Sequence, residues 1–164
     1  MRPFSAALLL EPLRRGAALQ SMPRPRRYRL RRGHSDALLE PFGESFELPQ
    51  VNPSRFGQAQ ATVAWGTGLG AGHSSIFFDR TVRLDLASGE QRVWQRPDAM
   101  QLEPLFVARP GASAEDDGVL LVPTLADDDT ASVIGVVDAA TMQCLATLRA
   151  PQVIPFGFRA AWAG

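Results

Sequence analysis

The chain has 164 residues, 45% of them hydrophobic and 21% charged, with 17 basic residues balanced by 17 acidic ones. That length supports one compact domain with a real core, and no apolar run approaches the ~20 residues of a membrane-spanning helix. The balance hides an asymmetry: residues 1–32 carry nine arginines and one acid, Glu11, for a net +8, while residues 33–164 carry a net −8.

In chain order, Ser5–Gln20 is the helix candidate, interrupted at Pro12. Its apolar run is broken by "EPLRR" and lacks a small-residue cleavage site, so residues 1–25 read as an irregular or helical segment rather than a signal peptide. Next comes "RPRRYRLRR", Arg24–Arg32, in which "RYRL" alternates charged and apolar residues. No recognition helix, zinc motif or aromatic RNA platform accompanies these arginines, which argues against a nucleic-acid partner. The run reads as a solvated strand whose charge opposes edge pairing. Anionic lipid, or cover by another part of the protein, are the alternatives.

The rest of the chain reads as short strands separated by turns. "SFELPQV" meets the turn "NPSRFGQ", and after it come "ATVAW", "SIFF", "TVRLDL", "QRVWQ", "PLFVA", "GVLLVPTL", "SVIGVVD" and "CLATLRA". Each is rich in β-branched, aromatic or leucine residues, and Gly, Pro, Asp and Ser collect between them. The expected class is all-β.

Several motifs invite a chemical reading. "GTGLGA", Gly66–Ala71, fits a dinucleotide pattern, but that site needs a helix directly after the turn. The residues after Ala71 read as a strand, so the expectation is a glycine hairpin joining "ATVAW" to "SIFF". The acids of "AEDDG" (Glu115, Asp116, Asp117) and "ADDDT" (Asp127–Asp129) lack calcium-loop spacing and read as solvated turns. His34 and His73 are single and not at metal-ligand spacing. Cys144 is the sole cysteine, so no internal disulfide forms; it reads as a small core residue in a reducing, cytoplasmic setting. Glu47 sits where alternation places it on one face with Ser45 and Pro49. Glu103 precedes an apolar strand, as either a surface residue or an acceptor that orients a buried group.

A weak repeat organises these strands. "TVRLDLASGEQRVW" is strand, Asp85, small-residue turn, strand; "IGVVDAATMQCLATL" repeats the plan around Asp138, and "RRYRLRRGHSDALLEPF" does so loosely. The matching positions Leu30, Leu84 and Val137 lie 54 and 53 residues apart. A period near 50 with about four strands per unit is that of β-propeller blades. About three blades fit in the chain, too few to close a ring, so the reading is a partial β-propeller.

From about Arg26 to Trp162 the chain resembles the C-terminal third of the carotenoid cleavage oxygenases. The motifs that carry the resemblance are "RRYRL", "FELPQVN", "FFDRTVRLDLASGEQRVWQRPD", "EPLFVARPGASAEDDGVLL", "VVDAATMQCLATLRAP" and "VIPFGFRAAW". The resemblance implies a seven-bladed propeller, of which residues 26–164 supply the last blades. It implies a non-haem Fe(II) held by four histidines, three of them oriented by glutamates. The iron activates O2 to cleave a C=C bond of an apolar polyene (a carotenoid, apocarotenoid or stilbene-like molecule).

Carried over by motif, Glu47 and Glu103 are two of those orienting glutamates. The fourth histidine belongs where this chain has Arg159, within "PFGFR". A guanidinium stays protonated and offers iron no lone pair. The other ligands are expected upstream of Met1, so the isolated chain is expected to bind no iron and to be inert. A degenerate piece that binds an apolar ligand or a protein is the alternative. Open sheet edges predict self-association, and peripheral membrane contact is left open.

Overall fold

A computed structural model describes residues 15, 24–56, 61–70, 77–126, 130–155, 157 and 161. Within them the chain forms antiparallel sheets and a single short 3-10 turn, Pro53–Arg55. The hairpin of β1 (Arg26–Leu30) and β2 (Ala37–Pro41) pairs Tyr28 with Leu39 and Leu30 with Ala37. Two of its arginines share one acid across the ladder: Arg27 and Arg29 each reach Glu40, at 4.0 and 3.5 Å. Arg27 also donates to the Leu86 carbonyl and lies over the Phe42 ring, 4.2 Å from its centroid. That residue ties an otherwise exposed hairpin to the next sheet.

The second sheet runs in chain order: β3 (Glu47–Gln50), β4 (Val63–Gly68), β5 (Arg80–Asp85) and β6 (Gln91–Trp94). The third contains β7 (Ala99–Gln101), β8 (Leu105–Ala108), β9 (Gly118–Ala126), β10 (Ser132–Asp138) and β11 (Cys144–Arg149). Here β7 and β8 pair one after the other along β9, and β10 and β11 complete the sheet on its far side.

The all-β expectation holds, with local corrections. "GTG" is no hairpin: Gly66 and Gly68 lie inside β4, which is buried along its whole length. A Cβ on Gly66 would come within 2.5 Å of the Glu47 carbonyl and 2.9 Å of the Phe46 ring, so glycine is required by the close approach of β3. Phe77 and Phe78 of "SIFF" lie outside any strand, because the Phe78 carbonyl crosses to accept from Gln101 N of β7 at 2.8 Å. The three residues of β7 carried no separate sequence signal. Cys144 is exposed rather than buried, since β11 is an outer strand exposed along its length. The helix candidate, apart from Arg15, lies outside the described residues.

The core lies between the second and third sheets. Trp65 of β4 stacks on Phe106 of β8, centroids 4.6 Å apart and planes 8° from parallel. Around them pack Val63, Leu120, Val122, Val137, Ala139 and Met142. The Trp65 indole donates to the Ala139 carbonyl at 2.9 Å, so this buried N–H is satisfied across the interface. On the other face of the second sheet, Ala64, Val82 and Leu84 meet Phe46 and Phe42. Two buried faces explain why β4 shows no polar alternation.

The two repeat turns have the same wiring. The Asp85 carboxylate accepts from the backbone N–H groups of Ala87 and Ser88 and from the Ser88 hydroxyl. The Asp138 carboxylate accepts from Ala140, Thr141 and the Thr141 hydroxyl in the same pattern. In each, the aspartate N–H closes the turn on a carbonyl five residues later, at 2.9 and 2.8 Å. These side-chain bonds to the local backbone favour a turn over a continued strand.

Candidate functional site

Both candidate glutamates sit where an edge strand is interrupted beside a proline. On β3, Glu47 pairs with Thr67 and Gln50 with Trp65, so β3 carries one residue more than β4 between these pairs. That is a β-bulge. Leu48 takes it up with φ 50, and Pro49 brings no N–H to the ladder. The strand thus begins at Glu47, and the expected alternation with Ser45 does not hold; Ser45 instead accepts from Leu69 N at 3.0 Å. Glu47 is half-buried, and burial pushes its carboxyl above the usual glutamate value. Among the described residues no group donates to that carboxylate.

Glu103 lies in the gap between β7 and β8. Opposite the gap is Pro123 of β9, whose carbonyl accepts from Leu102 N at 2.9 Å. In an antiparallel strand a residue's N–H and C=O point to the same side, so the donor that Pro123 lacks would have faced the gap between β7 and β8. The ladder breaks there for want of that donor. Leu102 and Pro104 are buried on either side, and Glu103 itself is only 4% exposed. It is therefore not a surface residue.

The structure adds a residue that the sequence did not single out. Gln50 Nε2 donates to Glu103 Oε1 at 2.6 Å, joining the edge strand of one sheet to that of the next. Beside this bridge runs a buried polar row. Thr67 faces Thr81, the Thr81 hydroxyl donates to Gln101 Oε1 at 3.3 Å, and Gln101 pairs with Thr124. Gln101 Nε2 has no partner among the described residues.

The acids of "AEDDG" are braces rather than solvated turn residues. The Glu115 carboxylate accepts from Thr62 N, the Thr62 hydroxyl and Val63 N, at 2.6 to 3.3 Å, which caps the start of β4. Asn52 donates to the Glu115 carbonyl at 2.8 Å. Asp116 pairs with Arg83 of β5 at 2.8 Å, and Asp117 with Arg109 at 2.8 Å. Two of the three acids therefore bind the second sheet to the loop before β9.

His34 lies exposed in the β1–β2 turn, 3.9 Å from Asp36. His73, Asp127–Asp129 and Arg159 lie outside the described residues. Among the described residues no group of three or more His, Cys, Asp or Glu is placed to hold a metal ion. These residues do not by themselves fit an iron centre.

The family of retinal pigment epithelial membrane proteins matches residues 5–164, nearly the whole chain. The chain belongs to that family. It is 31% identical over 132 residues to the chloroplastic carotenoid cleavage dioxygenase 8 homolog A of Oryza sativa subsp. japonica, covering 79% of this chain and 23% of that protein. It is 30% identical over 113 residues to the mitochondrial carotenoid-cleaving dioxygenase of Mustela putorius furo, covering 68% and 20%. Among solved structures, cobalt-substituted Synechocystis apocarotenoid oxygenase aligns with a TM-score of 0.71 and 26% identity, over 78% of this chain and 27% of that one. A chimera of apocarotenoid oxygenase with the retinal pigment epithelial protein aligns at 0.70 and 25%, over the same shares. The chain thus spans between a fifth and a quarter of the length of the curated relatives it matches. Its sheets are those of the carotenoid oxygenase propeller fold.

Proposed function

We propose that this chain is the C-terminal portion, the last blades, of a seven-bladed non-haem Fe(II) dioxygenase that cleaves a C=C bond of an apolar polyene with O2, and that it is inert in isolation. The observation that carries this reading is the pair Glu47 and Glu103 on the broken edges of two successive sheets, joined through Gln50. A carboxylate that accepts the far N–H of a metal-bound imidazole fixes its tautomer and raises its basicity. Burial of Glu103 suits that task, because a dry carboxylate binds its donor in one geometry. The imidazoles would come from outside this chain, and the iron, when bound there, would supply O2 activation. We place the propeller portion at residues 26–164, in the cytoplasm.

The test is aldehyde release. The purified chain with Fe(II) and a carotenoid or stilbene is expected to release none, and measurable product would overturn the inertness. DNA upstream of the Met1 codon is expected to encode histidine-bearing blades of the same family. If nothing related lies there, the enzymatic reading is dropped for this chain.

A second reading is favoured by Arg159, which stands where the resemblance places a histidine. A degenerate propeller piece would bind an apolar ligand or a protein without catalysis. Arg159→His in a chain completed with the upstream blades separates the two. Product that appears only with histidine supports descent from an active enzyme; none with either residue supports the degenerate module.

A further inference from the structure

The second oxygen of the Glu103 carboxylate needs a fixed direction if Glu103 is to orient another group. The terminal torsion of a glutamate is broad and nearly two-fold, so its own loop does not provide one. That loop is anchored on the backbone, by Leu102 N to the Pro123 carbonyl, and packed by Pro104. One side-chain constraint comes from the neighbouring sheet. Gln50 Nε2 reaches Glu103 Oε1 at 2.6 Å, at the short end for an N–H···O bond.

The β3 bulge makes this reach possible. Residues three apart on a regular strand point to opposite faces. Here Glu47 pairs with Thr67 and Gln50 with Trp65, and Thr67 and Trp65 are two apart on β4. The extra residue at Leu48–Pro49 therefore returns Gln50 to the face that carries Glu47. Trp65, on that face, packs against Phe106 of the third sheet. One edge strand thus presents a glutamate of its own and the amide that holds the next sheet's glutamate.

We infer that Gln50 is a positioning residue: its amide pins one oxygen of Glu103, so that β3 sets the direction in which the other accepts. This rests on the reading of Glu103 as an orienting acid, and it makes Glu47 and Glu103 a coupled unit rather than two independent ones.

The test uses the isolated chain, labelled for NMR. The Gln50 side-chain N–H signal is expected downfield of the exposed Gln143 amide, with exchange slowed roughly tenfold or more. Glu103→Gln is expected to move it toward the position of the exposed Gln143 amide. Gln50→Leu is expected to change the Glu103 side-chain carbonyl shift, while the exchanged pair Gln50→Glu with Glu103→Gln, which keeps one amide facing one carboxylate, restores the wild-type unfolding midpoint lost in Gln50→Glu alone. A Gln50 amide that exchanges as fast as that of Gln143 in the parent chain overturns the inference, and that measurement needs no variant to fold. A Gln50 amide that behaves as expected, in a chain whose completed form shows no product with either arginine or histidine at position 159, would sink the enzymatic reading and leave the pinning of Glu103 intact.

Discussion

The turn after β5 and the turn after β10 use the same hydrogen bonds around Asp85 and Asp138, yet they differ at the residue that turns the backbone left-handed. In the first this is Gly89 at φ 80, beside Phe42; in the second it is Met142 at φ 61. Glycine takes that conformation without strain, whereas a side chain there costs about 1–2 kcal/mol. Met142 is buried in the core between the second and third sheets, packed with Trp65 and Phe106. The second turn therefore accepts backbone strain in exchange for a core side chain, and the first does not. A shared polar frame fixes the shape of a turn, and the surroundings decide which residue can complete it.

The largest expected effect removes the contact on which both sheets depend. Trp65→Ala should cost about 3–5 kcal/mol, because it opens a cavity at the sheet interface and orphans the Ala139 carbonyl. Urea unfolding followed by circular dichroism would show it; a loss below about 1 kcal/mol would mean the two sheets do not share a core.

The comparison itself is broken by exchanging the turn residues. Met142→Gly relieves strain but empties a core position, and a net loss of about 1–3 kcal/mol is expected. Gly89→Ala keeps the core and adds strain, for about 1–2 kcal/mol. If Met142→Gly proves stabilising by the same urea measurement, strain outweighs packing there and the contrast is wrong.

Smaller effects appear with pH. The backbone N–H of Ser88 holds the Asp85 carboxyl below its usual value, and that of Thr141 does the same for Asp138. Folded values below the unfolded ones mean that this stabilisation is complete above about pH 4 and is lost as pH falls through the lowered values. Both turns are near the surface, so each contribution is expected below about 1 kcal/mol. The melting temperature of Asp85→Ala with Asp138→Ala should depend less on pH below 4 than that of the parent.

Glu47 sharpens the contrast with the opposite sign. Burial raises its folded value above 4.5. The folded chain then takes up a proton before the unfolded one, so stability falls as pH rises from about 4.5 through the raised value. Glu47→Gln should flatten that limb of the melting curve and stabilise the isolated chain slightly at neutral pH. A variant less stable than the parent at neutral pH would indicate that the Glu47 carboxylate has a donor in solution.

Much of the architecture was legible in the residues. Short β-branched and aromatic runs located most strands, and Asp85 and Asp138 marked the repeat, because a strand and an Asp turn are made by neighbours in the chain. "SIFF" misled because composition cannot show that the Phe78 carbonyl is taken by β7. "GTG" misled because glycine marks a turn and a close approach equally well, and only the position of β3 distinguishes them. Cys144 looked like a core residue for its type, but β11 turned out to be an outer strand.

By itself the sequence determined the strand-rich class, the period of the repeat, the family motifs and the two acids that stand in them. Those properties rest on residue identity and near spacing. Only the tertiary structure decided that Glu103 is buried, that the Glu115 and Asp116 side chains brace the second sheet, and that Gln50 reaches Glu103. The two residues of that last contact are 53 positions apart, and they meet through a one-residue bulge whose presence depends on how β3 lies along β4. A contact of that kind belongs to the packing of two sheets, which no local pattern encodes.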